Sequence, residues 1–443
     1  MKNKSSNNFP YIPNTDTEKQ LMLDAIGVSN FVDLVKEIPT KYINPEIDIP
    51  EDLSEQDLVK LLESISSKNR SIASFDASFL GAGVYDHYVP SIVKSIVQRG
   101  EFVTAYTPYQ PEVSQGTLQV GFEFQTFISE ITGMDVSNSG MYDGPTAFAE
   151  ACLMSVRIKR NKNIGVLYSV DEKLVDVLKS YTMFQDVNII KIEKDQLGKD
   201  DLNLSCLAFQ NPNSVGEIED IKKLTELAHK NNILAIAHVS PIYHGMYESP
   251  GKYGIDIVTA EGQSLGVPTS FGGPFIGLFA SKKEYIRHMP GRIIGKTKDK
   301  DNNDAFVLTL QTREQHIRRE NATSNICTST QLISLIVTVY LATLGKHGFN
   351  ELAHLCYQKA HYAASEISKI KGFEIYNKKF FNEFVIICPD YPRNINNFLL
   401  ENNILGGKDV SKKIHNGLMI AVTEKNSKHQ IDRLINCLGN YKC

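Results

Sequence analysis

Three stretches of the chain concentrate groups that could do chemistry. The first is Tyr106-Thr107-Pro108-Tyr109-Gln110-Pro111-Glu112, where two prolines stiffen a loop rich in donors and acceptors. Such a loop either presents those groups to a ligand or forms a rigid surface turn whose tyrosine rings cover core. The second, Asn138-Ser139-Gly140-Met141-Tyr142-Asp143-Gly144-Pro145-Thr146, runs into the helical pattern FAEACLMSV. A small polar loop entering a helix can hold a phosphate through free backbone N–H groups and the positive end of the dipole. Asp143 argues against that use, because its carboxylate would accept those N–H bonds itself and repel a phosphate; a capped helix behind a glycine turn is the plainer reading. The third stretch, EGQSLGVPTSFGGP from Glu261 to Pro274, lies between two strand-like runs. Its glycines let backbone approach a ligand or a neighbouring chain, or let a tight crossover pack on its own sheet.

Other candidates are weaker. The charges of Gln311 to Glu320 alternate in sign, which ordinarily makes a solvated helical face. Cys327, a little further on, has no candidate base beside it in sequence and is expected to be a buried thiol. No P-loop, HExxH or GxSxG motif occurs. The seven cysteines are scattered and odd in number, without CxxC or Cys/His spacing. That disfavours a disulfide framework or a metal site and suggests a reducing compartment. A net charge of −4 with no basic block disfavours a nucleic-acid surface. The N-terminus has no apolar signal core, and the longest apolar run, Leu332 to Leu344, is too short to span a bilayer. A cytoplasmic protein with no membrane partner is expected, that run forming a buried core helix.

The elements that must position these residues follow from periodicity. Thr15-Asp16-Thr17-Glu18 is a capping box opening a helix that Gly27 ends; Ser29 and Ser54 open two more. Residues 1–70 therefore read as a helical arm with little core of its own. From 71 to 330, apolar runs at 163–169, 188–193, 206–213, 233–239, 255–260 and 275–280 alternate with helical stretches such as 171–181 and 216–231. Near-continuous apolar strands with crossover helices imply a mostly parallel sheet covered on both faces, with function at the strand C-terminal ends. Residues 331–443 change character. Helical patterns at 328–345 and 348–370 precede strand-like 384–389 and 418–422 and a last helix at 427–438, giving a small α+β C-terminal domain.

Longer strings carry more information than any single motif. SFLGAGVYDHYVP, TAYTPYQPEVSQGTLQ, YDGPTAFAEA, EGQSLGVPTSFGGP, MPGRIIGKT and FVLTLQTREQHIRRENATSNICT occur in order along nearly the whole chain. Together they resemble the P-protein of the glycine cleavage system, glycine decarboxylase, in its A-subunit (subunit 1) branch. The resemblance implies an α/β fold: a pyridoxal-phosphate (PLP)-dependent transferase-like large domain of fold type I with a small C-terminal domain. It implies glycine dehydrogenase (aminomethyl-transferring) activity, an oxidoreductase reaction in which glycine loses CO₂ and its aminomethyl group passes to the lipoyl arm of the H-protein. PLP supplies the electron sink for that chemistry. The counterpart catalytic chain carries a Schiff-base lysine before its Gly-Gly-Pro stretch, where this chain has Gln263, whose amide nitrogen cannot form an aldimine. The carboxylate that pairs with the pyridine nitrogen belongs at the end of ILAIAHV, where this chain has Ser240, preceded by His238.

Gln263, Asp143 and Ser240 thus stand as degenerate cofactor positions, and no PLP is expected covalently on this chain. The resemblance further implies a PLP-bearing B subunit (subunit 2) as partner, in a heterotetramer of two A and two B chains. Tyr106, Thr107, Tyr109, Gln110 and Glu112 would then reach across the interface into the partner's site, with no metal involved. A self-sufficient enzyme using Lys282 or Lys283 competes with this reading, although both are expected at an exposed helix start. So does a scaffold or regulatory subunit that contributes no active-site residue.

Overall fold

The computed structural model describes Tyr11 and residues 14–43, 45–46, 48–50, 52–198, 202–326 and 330–442. Cys327 and the leader before Tyr11 lie outside the described residues. The chain forms two compact units, Met1–Arg70 and Ser71–Cys443.

In the first unit, α1 (Asp16–Ile26) starts on the capping box: Thr15 Oγ1 accepts the Glu18 N–H, while the Thr15 N–H reaches the Glu18 carboxylate. Gly27 ends it in the left-handed conformation (φ 81°), which costs glycine little. Ser29 does not open the next element. Asn30 caps a single turn, Phe31–Leu34, because Asn30 and Asp33 exchange bonds across it. Ser54 caps α2 (Glu55–Ser66) through the Asp57 N–H. Neither α1 nor α2 has a buried residue, and Leu21, Ile26, Leu62 and Ile65 are exposed.

The second unit is built on a seven-stranded sheet. Its strands are β1 (Val136–Ser137), β2 (Asn163–Leu167), β3 (Asn188–Ile192), β4 (Cys206–Asn211), β5 (Leu234–Val239), β6 (Ile257–Glu261) and β7 (Gly277–Ser281), in the order β1-β7-β6-β5-β4-β2-β3. All neighbours from β6 to β3 are parallel; β7 runs antiparallel to β6, and β1 to β7. Every residue of β5 is buried, as expected for a strand covered on both faces. The covering helices are α3 (Gln115–Thr132), α4 (Gly144–Lys159), α5 (Glu172–Thr182) and α6 (Ile221–Lys230). In α6, Ile221, Leu224, Thr225 and Ala228 form the buried stripe at helical spacing. Asp220, not residue 216, begins it, by capping the Lys223 N–H.

A hairpin of β8 (Ile293–Lys298) and β9 (Asp304–Thr309) stands outside this sheet. Two glutamine amides staple α3 to it. Gln115 exchanges both bonds with the Phe306 backbone, and Gln125 does the same with Ile294, all at 2.8–3.0 Å. The solvated helix expected at 311–320 is broken into short turns, Gln311–Arg313, Gln315–Arg318 and Arg319–Asn321, with Arg313 and Glu314 buried. The reason is a guanidinium: Arg313 donates to the carbonyls of Leu310, Met289 and Gly291 and pins the chain down.

The two helices expected from 328 to 370 run on as α7 (Gln331–Ile367), kinked at Gly345 (φ 59°, ψ −176°). By length and composition α7 could cross a membrane. Its apolar stretch, however, ends at the kink, and Ile333, Leu335, Val337, Tyr340 and Leu341 are buried in the core. The C-terminal sheet orders β10 (Glu374–Ile375), β11 (Glu383–Ile387), β13 (Gly417–Ala421) and β12 (Lys408–Asp409), all antiparallel. Helices α8 (Pro392–Glu401) and α9 (Lys428–Gly439) pack with it over a second apolar cluster containing Phe384, Leu399, Ile420 and Leu434.

Candidate functional site

Parallel strands leave a crevice beyond their C-terminal ends, and there a cavity of about 360 Å³ opens past β4 and β5. Tyr85, Asp143, Asp171, His238, Ser240 and Glu261 line it, together with Asn382, Glu383 and Met419 from the C-terminal sheet region. Gln263 sits just behind, next to the lining residue Ser264, and is 1% exposed. Its amide is fully engaged by backbone. Oε1 accepts the Tyr85 N–H at 2.9 Å, while Nε2 donates to the Tyr85 carbonyl (2.9 Å) and the Val267 carbonyl (2.8 Å). The side chain thus clamps the 81–90 segment to the glycine-rich connection, and as an amide it cannot condense with an aldehyde.

The start of α4 is equally committed. Asp143 Oδ1 accepts the Thr146 N–H at 2.8 Å, and Thr146 Oγ1 accepts the Asp143 N–H. Glu261 reaches over from the end of β6, its Oε2 accepting the Gly144 N–H at 2.8 Å and its Oε1 the Gln263 N–H at 3.0 Å. Only glycine fits at 144, where a Cβ would lie 2.8 Å from that of Glu261. Burial pushes the Glu261 carboxyl up to about 7, with the Asp143 charge adding and the two N–H bonds opposing. Two carboxylates therefore take the amides that a phosphate would need.

His238 faces the cavity with Nδ1 3.0 Å from Thr259 Oγ1 and the Phe148 ring edge-on at 5.8 Å. Burial pushes its pKa down to about 4, so the imidazole is neutral at pH 7 and offers no charge to a pyridine nitrogen. Ser240 lines the cavity beside it. A lysine-anchored, phosphate-held PLP does not fit these residues. Lys282 and Lys283 do not line the cavity. Contrary to the exposed position expected, Lys282 is part-buried and paired at 2.5 Å with the buried Asp256.

Tyr85, Asp171 and Glu383 escaped the sequence reading. Asp171 caps α5 through the Lys173 N–H and lies 3.6 Å from Lys408. Glu383 accepts from the Ala82 N–H and from the Tyr85 hydroxyl (3.1 Å), and burial raises its pKa. The fold joins residues some 300 positions apart, and no local pattern signals that. The same is true of His87, Cys356 and Glu424, whose donor atoms lie within 4.8 Å of one another and could hold a metal by type. Glu424 is already bonded to His87 Nδ1 (2.7 Å) and the Tyr88 N–H (2.6 Å), so the group is complete as a hydrogen-bonded lock.

The Tyr106–Glu112 loop does not line this cavity. Pro108 is buried as its anchor; Tyr106 (80% exposed), Tyr109, Gln110 and Glu112 face outward. Thr107 Oγ1 is buried without a hydrogen-bond partner among the described residues. Beneath Tyr109 lies Arg292, whose Nη2 donates to the Tyr109 hydroxyl at 3.0 Å while its guanidinium stacks 4.9 Å from the ring. The glycine-rich connection is buried from Gly262 to Val267 and then rises to a tip at Phe271, 89% exposed. The chain thus carries an outward-facing polar and aromatic loop at 106–112 and, apart from it, a cavity whose helix-start amides are already taken by carboxylates.

Residues 10–438 match the family model of the glycine cleavage system P-protein. This chain belongs to that family. Among P-protein relatives, "Probable glycine dehydrogenase (decarboxylating) subunit 1" of Chloroherpeton thalassium is 45% identical over 440 residues, covering 97% of this chain and 99% of that protein. A crystal structure of glycine decarboxylase (P-protein) of the glycine cleavage system, in inhibitor-bound form, superposes with a TM-score of 0.88 at 37% identity, covering 97% of this chain and 99% of the other. At the level of fold alone, Lactobacillus brevis glutamate decarboxylase shares 90% of this chain and 95% of its own with a TM-score of 0.64 at 11% identity.

Proposed function

We propose that this chain is the A subunit (subunit 1) of a two-chain glycine decarboxylase, working with a B subunit that carries PLP. The observation that carries this reading is Gln263. Where the resemblance puts the Schiff-base lysine, this chain has an amide built into a backbone clamp, within the P-protein family. In this reading glycine loses CO₂ at the partner's site, and the aminomethyl group passes to the lipoyl arm of the H-protein. This chain contributes Tyr106, Thr107, Tyr109, Gln110 and Glu112 across the interface of a cytoplasmic heterotetramer. Stiffening by Pro108 and Pro111 holds those groups in place before substrate arrives, which lowers the ordering cost of the reaction.

The test has two arms. Purified chain mixed with PLP and reduced with borohydride should carry no pyridoxyl-lysine by mass spectrometry; a stoichiometric adduct overturns the reading. The chain reconstituted with its B subunit should catalyse glycine–bicarbonate exchange that neither chain shows alone. A scaffold contributing no active-site residue is the competing reading, and variants of the 106–112 loop separate the two in the same assay.

A further inference from the structure

Arg292 is 2% exposed and sits immediately before β8, held there by the Arg313 clamp on Met289 and Gly291. Its Nη2 bond to the Tyr109 hydroxyl uses one of the phenol's lone pairs, so the phenolic proton must point away from the guanidinium, and Tyr109 is 47% exposed. Behind the guanidinium is Glu314, 7% exposed, with Oε2 3.8 Å from Arg292 Nε and 3.6 Å from His316 Nδ1. His316 returns to the loop, its ring packing edge-on against Tyr109 at 5.8 Å. The circuit Tyr109–Arg292–Glu314–His316 therefore closes on itself around the phenol.

The circuit is strained in one respect. Arg292 Nε and Glu314 Oε1 are buried and, among the described residues, have no hydrogen-bond partner. Burying charged groups with bonds unmet is costly, and a rigid surface turn has no need of it. A hydrophobic residue under Tyr109 would support the ring equally well. What a guanidinium adds is direction, because it fixes which way the hydroxyl donates and polarises it as a donor.

We propose that Arg292, backed by Glu314, is a positioning residue that aims the Tyr109 hydroxyl as an outward hydrogen-bond donor into the partner subunit's active site. This inference rests on the reading that the 106–112 loop reaches that site. Arg292 itself touches neither substrate nor cofactor; it acts through the phenol.

The experiment is a double-mutant cycle in the reconstituted two-chain complex, read as kcat and KM for glycine–bicarbonate exchange. Tyr109→Phe should lower kcat roughly 10- to 1,000-fold. Arg292→Met should lower kcat by a similar factor with KM within about 3-fold, and should cost almost nothing more in the Tyr109→Phe background. Arg292→Lys is the second variant, in case the methionine form fails to assemble. Lysine keeps the charge opposite Glu314 but lacks the planar array needed to face Glu314 and Tyr109 together. It too should lower kcat alone and be nearly silent beside Tyr109→Phe. Multiplicative losses, or full kcat in the Arg292 variants where Tyr109→Phe is impaired, overturn the positioning role while leaving the loop reading intact. Full activity in Tyr109→Phe itself overturns the loop reading, and this inference falls with it.

Discussion

Tyr106 and Tyr109 differ in what their hydroxyls meet: Tyr109 accepts from Arg292, while Tyr106 stands 80% exposed. In the complex, Tyr106→Phe, like Tyr109→Phe, should lower glycine–bicarbonate exchange roughly 10- to 1,000-fold, the loss of one to a few kcal/mol of transition-state stabilisation. Assembly should survive, because removing a hydroxyl preserves the ring; size-exclusion chromatography is the control, and full exchange in both variants would reduce the loop to a structural turn. Gln263→Lys should not restore cofactor binding, since Asp143 and Glu261 still occupy the helix amides. Gln263→Lys leaves the Tyr85 N–H without its acceptor, and Gln263→Leu strands that N–H together with the Tyr85 and Val267 carbonyls; the leucine variant should cost about 2–4 kcal/mol, visible as a lower Tm.

Glu261 gives a pH signature. Its folded pKa of about 7 stands above the ordinary 4.5, so the folded protein holds a proton that the unfolded chain has released. That stability is fully present below about pH 4.5 and is lost as pH rises through about 7, up to about 3 kcal/mol in all. A shallower fall of Tm between pH 5 and 8 in Glu261→Gln is the expected result; an unchanged slope would count against it.

At the scale of elements, Gly345 lets α7 turn without ending. Its φ of 59° with ψ of −176° is a conformation that side chains resist, although a Cβ there would meet nothing within 4 Å. Gly345→Ala should therefore destabilise by about 1–3 kcal/mol through backbone strain alone, measured by thermal or urea melts. The parallel strands β2, β4, β5 and β6 were legible in sequence because they are buried almost throughout and read as continuous apolar runs, β5 being the clearest case, whereas the edge strand β3 is half-exposed. The β8–β9 hairpin was not legible. Lys296, Lys298 and Asp304 make it polar, and the Gln115 and Gln125 staples that hold it come from a distant helix. Arg313 and Glu314 misled for the same reason: charge predicts solvent unless a partner remote in sequence offers carbonyls. Of the residues in and around the site, Asp143 could be read from its local context as a helix cap, and Gln263 only through the family resemblance. Asp171, Glu383 and Arg292 could not, because their partners lie up to some 300 residues away.

For the molecule as a whole, the arm is the part least able to stand alone. Helices α1 and α2 have caps at their starts but no buried residue, and isolated helices of that length are marginal in water. A chain shortened to residues 71–443 should still melt cooperatively, since both apolar clusters lie within it. It should fail to co-elute with the B subunit if the arm supplies part of an obligate interface, which typically buries more than ~2,000 Å². Co-elution as tight as that of the full chain would remove the arm from the interface. The bare apolar faces of α1 and α2 also bear on how the two gene products stay matched in amount. An orphaned copy displays greasy helices that open easily, the kind of segment that proteases cleave and chaperones retain. Surplus A chains should accordingly be short-lived, so that degradation, rather than balanced synthesis alone, sets their abundance to that of their partner.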